Sequence, residues 1–72
     1  MNTADFIEFL VDKNGVGYVL TAFADGLSKL ADKRKEQGNE YASRVYRNAS
    51  TELYIARNEI ERQEREYRKA QK

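Results

Sequence analysis

The chain has 72 residues, a formal net charge of +1, and neither cysteine nor histidine. These counts exclude disulfides, and they remove the usual ligands of zinc and haem and the usual base that activates a catalytic serine. A chain this short seldom gains more than about 3–5 kcal/mol from one core, so it needs close helix packing, self-association or a partner.

The composition favours an all-α protein, because proline is absent, glycine occurs four times and 35% of the residues are charged. We predict one domain over residues 1–72, with helices at about 3–14, 16–37 and 40–70. No segment reaches the roughly 18 apolar residues of a membrane span. The N-terminus is acidic where a signal peptide would be basic, so we expect a cytoplasmic protein without a membrane partner.

The first predicted helix is short and apolar over a broad face. Asn2 suits its N-cap, and "KNGVG" ends it with a glycine that can take the left-handed conformation. Its large apolar side chains are Phe6, Ile7, Phe9, Leu10 and Val11. A helix of about three turns is marginal in water, so we expect it to dock on this chain or on another.

The second predicted helix carries two rows of residues. The first row alternates by steps of four and three, the spacing of a helix-packing seam, and contains Val16, Leu20, Phe23, Leu27 and Leu30. The second row consists of Gly17, Ala24 and Ala31, seven residues apart. These small residues would either let another backbone approach closely or be incidental, and the sequence leaves both interpretations open.

The third predicted helix has the most regular pattern. One heptad position holds Tyr46, Leu53, Ile60 and Tyr67, and the other holds Ala42, Ala49, Ala56, Gln63 and Ala70. Large residues opposite small ones suit close antiparallel packing, whereas parallel dimers prefer leucine at the second position. We therefore predict a long antiparallel, coiled-coil-like hairpin that dimerises into a helical bundle, with Tyr46, Leu53, Ala56 and Ile60 in its core.

The third helix is longer than the second, so its C-terminal end should extend beyond the hairpin. The first helix could fold back to cover Tyr67 and Ala70, or another chain could do so. Tyr54 and Ile55 lie outside the heptad pattern, and there a partner protein could pack. The alternative is that the first helix covers Ile55 while Tyr54 lies on the surface. The predicted partner-binding residues are Phe6, Phe9, Leu10, Tyr54, Ile55 and Arg62.

No catalytic arrangement is evident in the sequence. The serines have no nearby histidine base, and "GVG" is too short for a phosphate-binding loop. Glu52, Glu59 and Glu66 form a column, but glutamates are routine beside a helix seam. We predict no enzymatic activity, cofactor, metal site or small-molecule substrate.

Nucleic-acid binding is the main alternative function. Residues 1–32 carry five acids and two bases, whereas residues 33–72 carry seven acids and eleven bases. The candidate nucleic-acid face on the third helix contains Arg44, Arg47, Arg65, Arg68 and Lys69. Glutamates alternate with these arginines, a pattern more typical of a surface rich in ion pairs than of a phosphate-binding stripe.

We therefore predict a non-enzymatic protein–protein interaction module that self-associates and docks on another protein as an adaptor, an inhibitor or a structural subunit. No residue motif identifies a family. Small proteins of this style occur in phages and mobile elements, and we expect a protein of that type by analogy alone.

Overall fold

A computed structural model describes residues 2–70, which form three helices: α1 (Thr3–Asn14), α2 (Val16–Glu36) and α3 (Glu40–Ala70). These residues contain no strand, so the all-α prediction is confirmed. The side-chain oxygen of Asn2 accepts a hydrogen bond from the amide of Asp5 at 2.8 Å and begins α1. Gly15 and Gly38 take positive φ angles of 90° and 81° at the two turns, a conformation that glycine adopts without strain.

Helices α2 and α3 pack against each other as an antiparallel pair. With increasing distance from the turn, the contacting residues have lower numbers in α2 and higher numbers in α3. In order from the turn, the hydrogen bonds join Asp32 to Arg47, Ser28 to Ser50, and Thr21 to Arg57. The prediction that the second and third helices form the main contact is confirmed.

Small residues make this α2–α3 contact. Ala24 and Ala31 are 0% exposed, and Ser50 is buried opposite them. The Ser50 hydroxyl donates a hydrogen bond to the Ala24 carbonyl at 2.8 Å. A Cβ atom added to Gly17 would lie 3.1 Å from Oε1 of Glu61. The small-residue row of α2 therefore does allow close approach, and the interpretation that it is incidental is wrong.

The rows of large apolar residues on α2 and α3 were predicted to pack between these two helices. The structure corrects this prediction, because the small residues make that contact. Successive helical residues point about 100° apart, so once Ala24 and Ala31 face α3 the large row of α2 lies to one side. The large row of α3 lies to the same side of the hairpin. We call this side the apolar face: Val16, Leu20, Phe23, Leu27 and Leu30 of α2, with Tyr46, Leu53 and Ile60 of α3.

No large side chain in the described part of the chain is fully buried. Tyr46, Leu53, Ala56 and Ile60, predicted as core, are only half-buried, and Phe23 is 52% exposed. The opposite side of the hairpin, the polar face, carries the side-chain pairs that link the two helices. It consists of Thr21, Asp25 and Asp32 of α2 with Arg47, Tyr54 and Arg57 of α3.

Helix α1 packs on α2 and makes no contact with α3. The single residue Gly15 joins α1 to α2. The α2 residues Ala22 and Gly26, which line the groove with α1, point away from Ala24, so α1 lies along the side of α2 that is remote from α3. The predictions that the first helix covers Ile55 or the end of α3 are both wrong, and Ile55 is 62% exposed. No residue of α1 is buried.

The three helices lie side by side in a single layer. Helix α2 contacts both α1 and α3, whereas α1 and α3 do not contact each other, and the principal-axis extents of 53 × 29 × 13 Å describe a flat molecule. The Cα radius of gyration is 15.2 Å, whereas a compact domain of this length has about 11 Å. Helix α2 is central, and α1 and α3 form the two edges.

Candidate interaction surfaces

An apolar groove of about 480 Å³ runs between α1 and α2. It opens on the same side of the molecule as the apolar face and continues it. Its lining residues are Thr3, Phe6, Ile7 and Leu10 of α1 with Tyr18, Val19, Ala22, Phe23, Gly26, Leu27 and Leu30 of α2. A groove with so few polar groups offers apolar contact to an occupant and little hydrogen bonding.

The three predicted partner residues of α1 separate into two positions. Phe6 and Leu10 line the groove, and Phe6 remains 49% exposed there. Phe9 lies outside the groove, between acidic side chains of α1, and the Lys13 ammonium is 5.5 Å from its ring centroid. Only part of the predicted α1 site therefore joins the apolar surface.

Tyr54 and Ile55 also lie on different sides of α3. The Tyr54 hydroxyl donates a hydrogen bond to the Asp25 carboxylate, and the Arg57 guanidinium is 5.2 Å from the Tyr54 ring centroid. The hydrogen bond to Asp25 raises the pKa of Tyr54 above its usual value. Tyr54 thus belongs to the polar face and links α3 to α2, whereas Ile55 is on the outer side of α3.

Arg62 lies where α3 extends past the start of α2. It forms ion pairs with Glu59 and with Glu66, the latter at 2.7 Å. The hydrogen bond from Arg62 lowers the pKa of Glu59, and the same contact raises the pKa of Arg62. These contacts occupy the guanidinium within its own helix, and they hold two of the three glutamates of the predicted column.

The candidate nucleic-acid residues fall into two separated groups. Arg44 and Arg47 line a depression near the α2–α3 turn that also contains Asp32 and Glu40, and Arg47 pairs with Asp32 at 2.6 Å. Three residues lie at the C-terminal end of α3, about 27 Å away along the helix at 1.5 Å per residue. They are Arg65, Arg68 and Lys69, and Arg68 lies 3.9 Å from Glu64.

The groove between α1 and α2 was not predicted from the sequence. Val19 was not singled out, although it is one of the few buried apolar residues in the described part of the chain. The signal was present in the two rows of α2, because a helix with two distinct rows has two neighbours to pack against. We assigned the large row to the contact with α3, which the small row makes instead.

The helices of residues 2–70 include none that is both long and apolar enough to cross a membrane. No protein-family model, curated protein or solved structure matches the chain.

Proposed function

We propose that the protein is a non-enzymatic protein–protein interaction module that works as a homodimer, in which the apolar face of each copy covers that of the other. The observation that carries this proposal is that α1 and α3 both pack on α2 but not on each other, so that the helices form one layer with one apolar side. Stable domains consist of at least two packed layers around an apolar core. A second copy would supply the missing layer and give the predicted helical bundle.

The accessible surface area of the chain can be compared with the area that a dimer interface buries. The chain exposes 5798 Å² for a mass of 8.4 kDa. A compact monomer of that mass exposes about 4,600 Å², so the excess is about 1,200 Å². A stable interface usually buries about 800 Å² on each partner. The excess is therefore large enough for a specific dimer interface.

The properties of the polar face also support the apolar face as the dimer interface. The charged and polar side chains of the polar face are already paired across the hairpin, as in Arg47 with Asp32 and Tyr54 with Asp25. Such a surface gains little from a dry interface, since breaking hydrogen-bonded pairs has a cost. The apolar face has no comparable pairing and gains from burial.

Within this proposal the protein is a small adaptor, inhibitor or structural subunit of the cytoplasm, and docking on a further protein stays a prediction. The outer side of α3 would remain free for such a partner in the dimer. Tyr41 and Ile55 lie there with exposed fractions of 80% and 62%. Phages and mobile elements remain the expected source by analogy only.

Nucleic-acid binding is not proposed. The two arginine groups lie far apart on α3, and Arg47 and Arg68 each have a carboxylate partner. A phosphate-binding surface keeps its cations unpaired and contiguous.

Sedimentation velocity of two matched variants tests the proposal. Phe23→Asp places a charge on the apolar face, and we expect it to convert a dimer to a monomer. Ile55→Asp places the same charge on the outer side of α3, and we expect it to leave the dimer intact. Equal sedimentation of both variants and the unmodified protein would contradict the proposal.

A further inference from the structure

We propose, on the basis of the homodimer proposed above, that α3 of each copy lies in the groove between α1 and α2 of the other copy. The two-fold axis then runs parallel to the helices. The apolar groove, which is open in one copy, is the site, and its occupant is the row formed by Ala49, Leu53, Ala56 and Ile60 of the partner subunit.

The shape of the apolar surface favours this occupant. A two-fold axis that lies in the interface but is perpendicular to the helices would place the groove of one copy against the same groove of the other copy. Two concave surfaces that face each other leave a void, and unfilled space loses packing contacts. An axis parallel to the helices instead exchanges the two edges of the layer. It therefore brings α3, a convex edge, to the groove beside α1.

The occupant row of α3 and the groove also lie at the same height along the helix axis. Rotation about an axis parallel to the helices preserves the height of every residue. The hydrogen bonds of Ser28 with Ser50 and of Thr21 with Arg57 place residues 50–57 of α3 level with residues 21–28 of α2. The groove extends over Tyr18–Leu30 of α2. Leu53 of the partner subunit then reaches the middle of the groove, near Gly26.

The charges of the facing segments favour this arrangement over the perpendicular axis. Helix α1 carries three acids and one base, a net charge of −2, whereas residues 48–60 of α3, which are level with the groove, carry two acids and one base, a net charge of −1. The perpendicular axis would place two α1 helices of net charge −2 next to each other. The parallel axis places α1 next to the segment of net charge −1, so the repulsion between the facing edges is smaller.

A substitution that fills the groove tests the inference. A Cβ atom at Gly26 meets no atom within 4 Å, and leucine is a better helix former than glycine. Gly26→Leu should therefore preserve helicity while raising the dimer dissociation constant by about ten- to a hundred-fold. The control is Asn48→Leu on the outer side of α3, which should leave the dissociation constant within about twofold of that of the unmodified protein.

Disulfide trapping tests the arrangement itself, because the natural chain has no cysteine. Ala22 lines the groove and is level with Ala56. A mixture of Ala22→Cys and Ala56→Cys should therefore form covalent dimers under oxidation faster than either variant alone. Cross-linking of Ala22→Cys with itself at the rate of the mixture would overturn the inference in favour of the perpendicular axis.

The outcomes separate this inference from the proposed function. A dimer whose dissociation constant is unchanged by Gly26→Leu would overturn the groove assignment and leave the homodimer standing. A natural chain that is monomeric at every concentration would overturn both, and the groove would then have to accept a helix from another protein or no partner.

Discussion

The two helix contacts of this protein differ in kind. The α2–α3 contact joins small residues, buries Ala24 and Ala31 completely, and adds hydrogen bonds across the hairpin. The α1–α2 contact joins large apolar residues, yet no residue of α1 is buried and Phe6 stays 49% exposed. One chain therefore completes the first contact and leaves the second open. The chain holds its large apolar side chains where a second layer can reach them.

The largest effect is expected from a substitution on the apolar face, which a single chain leaves open. Leu53 is half-buried in one copy and would be covered in the dimer, so Leu53→Ala should cost about 2–5 kcal/mol in the free energy of unfolding. Its neighbour Tyr54 lies on the polar face, and Tyr54→Ala should cost less than about 1 kcal/mol. Urea unfolding at several protein concentrations measures both. Equal costs for the two variants would mean that the two faces do not differ as described.

Overpacking the closed contact should have the next largest effect. Ala24 is fully buried against α3, so Ala24→Leu should destabilise the hairpin by about 1–3 kcal/mol. The control is Ala70→Leu, since Ala70 is exposed at the end of α3. Thermal unfolding followed by circular dichroism compares them. A stability unchanged by Ala24→Leu would show that α2 and α3 are not closely packed there.

A smaller effect should distinguish the two serines of the closed contact. Ser50 uses its single proton on the Ala24 carbonyl, so Ser28 donates to Ser50 at 2.8 Å. Ser50→Ala removes both hydrogen bonds and should cost about 1–2 kcal/mol, whereas Ser28→Ala removes one and should cost about half as much. Chemical unfolding of the two variants measures the difference. The reverse order would contradict this hydrogen-bond direction.

The smallest effect concerns the pH dependence of the polar face. The hydrogen bond to Asp25 raises the pKa of Tyr54 above 10.0, the ordinary value that applies in the unfolded chain. The contribution of this group to stability is therefore complete below that pH and is lost as the pH rises through the folded-state pKa. In an absorbance titration of the chain, Tyr54→Phe should remove a phenol whose pKa lies above the ordinary value.

Asp25→Asn is the control for the tyrosine titration. It removes the negative charge and the carboxylate acceptor but keeps the length of the side chain, so the pKa of Tyr54 should return toward its ordinary value. A titration curve unchanged by either substitution would mean that the Tyr54–Asp25 contact does not hold in solution.

Much of the fold could be predicted from the sequence, because its signals are local. The N-cap at Asn2 and the glycines at the two turns define where helices begin and end, and the structure has these features. The orientation of the helices around their axes was harder to predict. The heptad pattern of Leu53 and Ile60 identifies a side that needs cover, but it does not say which helix provides it.

The candidate site was predicted only in part for the same reason. Phe6 and Leu10 were recognised from the broad apolar side of α1, and they do line the groove. Phe9 was grouped with them because it belongs to the same apolar helix, and Tyr54 and Ile55 because they lie outside the heptad pattern of α3. The structure separates these three residues onto other surfaces. The position of α1 depends on how it packs against α2 after the turn that joins them, and the pattern of each helix taken alone does not specify that packing.

The most direct test of the central claim is the solution mass of the natural chain, measured by light scattering over a dilution series with helicity followed in parallel. We expect about twice the chain mass of 8.4 kDa at micromolar concentration. Mass and helicity should fall together on dilution, since a short helix that loses its cover is marginal in water. A fully helical species of 8.4 kDa at every concentration would contradict the claim that a second copy covers the apolar face.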